Sequence, residues 1–542
     1  MEAPSTQMNK SSFKSFELSF AKTGKFTDVV KKYQEEDKSL LPFLKQYPST
    51  ENFASLAEAK LKDFGNRDIL VRHFSRVYKE QGSDEQKNNI AKLALENTVT
   101  VTTGHQLAFA GGPLYFIYKA IHTIKLAETL NKQLQDVNVV PVFWLASEDH
   151  DFDEIAQITI FGKKHALKKS DNLIPVGDLN IQDVKELKDF ALGFFEGFES
   201  EALINATIND AWERSNNLSD FTFNLLNTWF ANRGLLVLDP QTKELKSAFS
   251  NIVAGELESN LVETAVNRLT DKFPSGLKIQ APPRPCNLFF IKDGNRYRID
   301  RKGEGFELMP GNIEVSKDEL LASLKSDPQL FSPNVLMRPL YQECILPNIA
   351  YIGGGGEMAY WLQLADLFEE VKLPLPQIML RNSFQLVDSG VSKKIEKLAL
   401  SPEEIFLSEQ ILIDQLIADS DSGNLLDFSD FEEQATLLFN NMAERAKSID
   451  PTLAPSIEGQ GKGVLKSIEG IQKKLKKRLK EKQEVEINQI STIQQRLFPG
   501  GGLQERSENV LHYLAKHGDA FFDYIYEESG DIKPVFKLIY LP

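Results

Sequence analysis

Three runs constrain this chain more than anything else in it: TVTVTT (98–103), VVPVFWLA (139–146) and GLLVLDP (234–240). Each is apolar or β-branched at nearly every position, so none has a polar face to turn to water. Strands of that kind belong inside parallel sheets, covered on both sides. Helix-like stretches separate the runs, and parallel neighbours need such crossovers. The expected class is therefore α/β, with βαβ units in a doubly wound sheet. NIAYIGGGGEMAYWLQLADLFEEV and LPQIMLRNS extend the pattern, each a strand running into a glycine-rich or polar turn.

A chain of 542 residues exceeds one hydrophobic core, which predicts two or three domains. Its net charge of −15, from 62 basic and 77 acidic residues, repels nucleic acid. No run of about 18 apolar residues predicts a membrane span. The N-terminal MEAPSTQMNKSSFKSFELSF has no apolar h-region of a secretory signal. Two cysteines, Cys286 and Cys344, make no disulfide framework and no zinc spacing, and both read as buried structural thiols. A cytoplasmic protein without nucleic-acid or membrane partners is the expectation.

Along the chain, residues 1 to about 95 read as helices on a core domain that extends over 1–388. An insertion at about 241–335 holds the hairpin NLFFIKDGNRYRID, turning at Asp293-Gly294. Residues 389–498 read as a helical arm. Phe428, Phe431, Ala435, Leu438, Met442 and Ile449 mark one helix, with Ser429 and Glu432 as a capping box. A second helix, Val464 to Leu497, would span roughly 50 Å before Pro499-Gly500 stops it. Its seam runs through Leu465, Ile468, Ile471, Leu475 and Leu479, and the basic run Lys473–Lys482 reads as its solvated face. Two such helices predict a coiled coil. Residues 499–542 return to the core, with PVFKLIYLP as a last strand or edge segment.

Four turns at predicted strand ends hold the candidate chemistry, because open α/β sheets bind ligands beyond those ends. In TTGHQLAFAGGP, Gly104, Gly111 and Gly112 let backbone approach a phosphate. Pro113 suits a first helical turn, and His105 can donate to a phosphoryl oxygen or carry a proton. In SEDHDFDE, the carboxylates Glu148, Asp149, Asp151, Asp153 and Glu154 surround His150 and call for an amine or Mg²⁺. In YIGGGGEMAYW, Gly353, Gly354, Gly355 and Gly356 precede Glu357, which can accept from sugar hydroxyls. Lastly, Arg381-Asn382-Ser383 and PGGGLQER each set an arginine, Arg381 or Arg506, near a turn where it can grip phosphate.

TTGHQ…GGPLYFIYKAI, VPVFWLASEDHDFDEI, SPNVLMRPLYQECILPNIAYIGGGGEMAYWLQL and PGGGLQER, in this order with the arm before the last, resemble the bacillithiol biosynthesis cysteine-adding enzyme family. The resemblance covers nearly the whole chain. It implies a Rossmann-like core related to class I aminoacyl-tRNA synthetases, connecting-peptide insertions and a coiled coil that forms a homodimer. The implied reaction joins cysteine to glucosaminyl-malate by carboxyl activation, with ATP or another nucleotide as cosubstrate and Mg²⁺ as an option; no protein metal ligand is assigned. It places His105, Glu148, Asp149, His150 and Asp151 at the chemistry. Substrate or nucleotide binding falls to Thr103, Gly104, Gln106, Gly112, Tyr115, Lys119, Gly353 to Gly356, Glu357, Tyr360, Arg381, Asn382, Ser383, Gly501, Gln504 and Arg506. Two other readings of the residues stand beside it: a metal-dependent hydrolase using the Glu148–Glu154 cluster, and a non-catalytic coiled-coil scaffold.

Overall fold

The computed structural model describes residues 13–168, 173–420 and 423–542. The parts of the N-terminal and arm readings that fall on 1–12 and 421–422 lie outside them. Five parallel strands form the central sheet: β1 (Thr98–His105), β2 (Asn138–Leu145), β3 (Leu236–Leu238), β4 (Asn348–Gly353) and β5 (Gln377–Leu380), in spatial order β5-β4-β1-β2-β3. From β1 the chain steps outward to β2 and β3, then crosses back to β4 and β5. The order thus reverses between β1 and β4, and their carboxyl ends flank the crevice where such sheets hold ligands.

β1 shows why a threonine-rich run can be fully buried. Val99 and Val101 join a core with Phe53, Leu56, Leu126, Leu130, Val139, Ile349 and Ile352. The threonines satisfy their hydroxyls within the sheet: Thr102 donates to Asn348 Oδ1 at 2.9 Å and Thr103 to the Ile352 carbonyl at 2.7 Å. Asn348 in turn donates to Glu343, whose carboxylate is paired with buried Lys60 at 2.5 Å. The helix Tyr115–Gln133 carries the chain from β1 to β2. It begins after Pro113, which bridges to Asn509 instead of occupying the first helical turn.

Within the expected insertion, Ile313–Val315, Gly305–Met309, Asn295–Lys302, Leu288–Lys292 and Phe331–Pro333 form an antiparallel sheet in that order. Asp293 and Gly294 both take positive φ, as the tightest hairpin turn requires. The tail strand Phe536–Tyr540 is the middle strand of a three-stranded sheet, not an edge.

Two compact units result, one of Glu17–Gln385 with Gly502–Lys537, the other built on Leu386–Gly501. In the second, helices Ser429–Lys447 and Ala454–Lys482 are joined by the short turn Pro451–Leu453. Three local expectations change here. The second helix starts ten residues before Val464, at Ala454, and its Gly461 packs closely against Phe439, which a Cβ would meet at 2.9 Å. It also breaks at Gln483, and Glu484–Leu497 is a separate helix. Ser429 is not a cap; its N–H and hydroxyl both donate to Asp427, at 3.0 and 2.6 Å. Phe431, Leu438, Met442 and Ile471 remain exposed on this pair. No helix among the described residues is long and apolar enough to cross a membrane.

Candidate active site

A pocket of about 700 Å³ opens at the carboxyl ends of the central strands. From the candidate set it brings together Gly104, His105, Gln106, Tyr115, Lys119, Glu148, Asp149, Gly354, Gly355, Gly356, Glu357, Tyr360, Arg381 and Arg506.

At the end of β1, His105 is 8% exposed and lies flat against the Tyr115 ring, centroids 5.0 Å apart. Its Nε2 has no hydrogen-bond partner among the described residues. Burial, reinforced by Lys119, pushes its pKa down to about 3, so the imidazole is neutral at any working pH. Lys119 donates to the Gly104 carbonyl at 2.9 Å and pairs with Glu357. Glu357 also accepts from the Gly354 N–H at 2.8 Å and the Tyr351 hydroxyl at 2.6 Å. Burial would raise Glu357, but Lys119 and these donors bring it down to about 2. One carboxylate thus ties the ends of β1 and β4 together.

The four glycines divide into two jobs. A Cβ on Gly355 would strike Val30 at 2.6 Å, and one on Gly353 would meet Glu357 at 2.9 Å, so these two are packing glycines. Gly354 and Gly356 line the pocket, where a Cβ would make only ordinary contacts with Arg381 and Glu357 at the first and meet nothing at the second.

Beyond β2 the carboxylates of SEDHDFDE disperse. Glu148 pairs with the buried ammonium of Lys246, which also donates to the Phe331 carbonyl at 2.7 Å. Asp149 accepts from Gln106 at 2.5 Å and faces Arg296 at 3.6 Å. His150 accepts from Arg296 through Nδ1 at 2.6 Å, and burial together with that guanidinium lowers its pKa. Asp151 caps the short helix Phe152–Ile155 through the Glu154 N–H, at 3.4 Å. His150 and Asp151 are not among the residues that line the pocket. Within the expected amine site, Glu148 and Asp149 therefore already face cations of the protein, Lys246 and Arg296. Among the described residues no group of three His, Cys, Asp or Glu is placed to hold a metal ion by protein ligands alone.

Arg381 is likewise committed, held by Glu505 through Nη1 at 3.0 Å and Nη2 at 2.8 Å with both side chains buried. Ser383 and the Asn382 carbonyl accept from the same guanidinium, and the Asn382 N–H goes to His122. Thr103 and Gly353 sit inside the sheet, and the Gly112 carbonyl accepts from Asn509. The Gln504 carbonyl closes the turn to Glu508 at 2.8 Å, and Gly501 belongs to the other compact unit. Of these residues Arg381 lines the pocket, whereas Thr103, Gly112, Gly353, Asn382, Ser383, Gly501 and Gln504 do not.

Several lining residues were not singled out in the sequence. Arg338 opens the helix Arg338–Ile345, with its guanidinium 5.0 Å from the Tyr351 ring centroid and 5.8 Å from that of Trp144. It donates to Gln342 and Tyr360, and no carboxylate among the described residues pairs with it. Arg284, Phe289 and Arg296 come from the insertion. Glu154, read in the sequence as one carboxylate of the acidic cluster, also lines the cavity. No local pattern announces Arg284, Phe289, Arg296 or Arg338, since each is set by long-range packing.

The family description "Bacillithiol biosynthesis BshC, N-terminal Rossmann-like domain" matches residues 14–382, and "Bacillithiol biosynthesis BshC, C-terminal coiled-coil domain" matches 384–541. The chain belongs to the BshC family. A relative from Flavobacterium johnsoniae is 34% identical over 96% of this chain and 99% of its own. Another, from Christiangramia forsetii, is 34% identical over 96% and 98%. A more distant one from Bacillus cereus is 29% identical over 86% and 89%. All three carry the name "Putative cysteine ligase BshC". As a BshC-family chain it combines the Rossmann-like sheet and the helical arm that the two descriptions name.

Proposed function

We propose that this chain joins the carboxyl group of cysteine to the amino group of glucosaminyl-malate, completing bacillithiol. The reading is supported by the relatives' shared name and by one observation in particular. The pocket at the strand-order reversal holds a guanidinium, Arg338, and an imidazole nitrogen, His105 Nε2, that the protein leaves uncommitted to any carboxylate. Both substrates carry carboxylates, and a planar guanidinium grips such groups in a fork. Arg284 and Arg506, exposed on the pocket's lining, add positive charge for further anionic groups.

An amide does not form from a free carboxylate in water, so a phosphoryl donor such as ATP supplies the activation when bound. His105 Nε2, Arg506 and the open Gly354 and Gly356 backbone suit its phosphates. The Lys119–Glu357 pair holds His105 and the glycine turn in register while charge develops. Trp144, Phe289, Pro240, Pro282 and Pro333 wall the cavity and limit competing water. We place this reaction in the cytoplasm, where the buried Cys286 and largely covered Cys344 remain thiols.

We also read the arm as a homodimer element, supported by the exposed Phe431, Leu438 and Ile471. The test of function is mass spectrometry of purified protein with cysteine, glucosaminyl-malate and ATP. A product heavier than glucosaminyl-malate by one cysteinyl residue is expected, and its absence with every nucleotide tried would overturn the reading.

A further inference from the structure

The carboxylates lining this pocket are not equivalent. Glu148 is held by Lys246, Asp149 by Gln106 and Arg296, and Glu357 by Lys119 and Tyr351. Glu154 lines the same cavity, yet no hydrogen bond or ion pair to its carboxyl occurs among the described residues. Its sequence setting would ordinarily tie it down. Asp151-Phe-Asp-Glu154 is a capping-box pattern in which the third helical residue reaches back to the cap. Here Asp151 accepts from the Glu154 N–H, but the Glu154 side chain does not return the bond.

We infer that Glu154 takes the proton from the attacking amine, an inference that rests on the amide-forming reading above. A sugar ammonium must lose a proton before its nitrogen can attack. Every other lining carboxylate is neutralised by a cation and is a poor acceptor. The charged groups that act on Glu154 are Asp151, Asp149 and Glu357, which favour its protonated form, and Lys119, which opposes them; Glu154 in turn raises the pKa of the Tyr115 hydroxyl, which lines the same pocket. Burial and Asp151 lift its pKa to about 7, close to what a base working near neutrality requires.

The step balances as follows. The ammonium gives one proton to the Glu154 carboxylate, leaving a neutral amine. Its lone pair forms the C–N bond to a cysteine carboxyl activated as a mixed anhydride with phosphate. The bond from the acyl carbon to the phosphoryl oxygen breaks, its electron pair departs on that oxygen, and the second nitrogen proton goes with it.

The experiment compares the full chain with Glu154→Gln, using cysteine, ATP and either glucosaminyl-malate or hydroxylamine as acceptor at pH 8. A general base contributes about 10²–10⁴-fold, so kcat with glucosaminyl-malate is expected to fall at least ~100-fold while KM for the amine changes little. The acid limb of the wild-type pH profile should disappear. With hydroxylamine, whose nitrogen is already unprotonated at this pH, the deficit should shrink to a few-fold. Glu154→Asp, which keeps a carboxylate, should recover part of the rate, and it supplies the comparison if the glutamine chain does not fold. An unchanged kcat, a raised KM with kcat intact, or an equal deficit with both acceptors would each overturn the inference. Failure of the functional reading looks different: the wild-type chain itself would form no amide.

Discussion

A carboxyl with a raised pKa is a burden on the folded state, and Glu154 should show it. Its pKa rises from 4.5 to about 7 through burial and Asp151. The folded chain therefore binds more protons than the unfolded chain between those values, and stability falls as pH rises through the window. Above pH 7 the burden levels off at about 3 kcal/mol, at 1.36 kcal/mol per pKa unit. Glutamine mimics the protonated carboxyl, so Glu154→Gln should stabilise the protein at pH 8. At pH 5 the gain should be under about 1 kcal/mol, because the burden is then mostly absent. For a unit of about four hundred residues, unfolding entropy near 0.85 kcal/mol/K turns 3 kcal/mol into about 4 °C. The assay is convenient because Trp144, Trp212, Trp229 and Trp361, all four tryptophans, lie in the compact unit that contains the pocket. Melts followed by their fluorescence at pH 5 and pH 8 report that unit alone. A variant no more stable than wild type at pH 8, or stabilised equally at both pH values, would refute the reasoning.

Other substitutions test the rest of the site. Glu505→Gln leaves the Arg381 guanidinium buried without its counter-ion, and the same fluorescence melt should register a loss of about 3–5 kcal/mol. Replacing both members by leucine and methionine should recover most of that loss. Arg338→Ala should weaken glucosaminyl-malate binding by calorimetry about 10–100-fold, the range of a hydrogen-bonded charge, with an unchanged melt. Light scattering should show Phe431→Glu with Leu438→Glu shifting the chain toward monomer, since both side chains are more than half exposed in a single copy.

What could be read from the sequence follows from how local the determining physics is. The β1 and β2 runs declare themselves because strands buried on both faces have no polar alternation, and Asp293-Gly294 declares its hairpin because few residues accept two positive φ values. The two family descriptions agree with the α/β core and coiled-coil arm that those patterns suggested. The ends of strands were also legible as a place, and His105, Glu357 and Gly354 do meet there. Charge pairing was not. Glu148 and Lys246 stand 98 residues apart and Arg381 and Glu505 124 apart, so nothing near either partner marks it as spoken for. The same holds for Arg338, which looks like any arginine at a helix start until Trp144 and Tyr351 close around it.

A crystal structure of the chain with the cysteinyl amide product bound tests the central claim most directly. The account predicts the product in the pocket between β1 and β4, with its malate carboxylates on Arg338 and its amide nitrogen within hydrogen-bond reach of Glu154. Product seated anywhere else, with this pocket filled only by water, would contradict it.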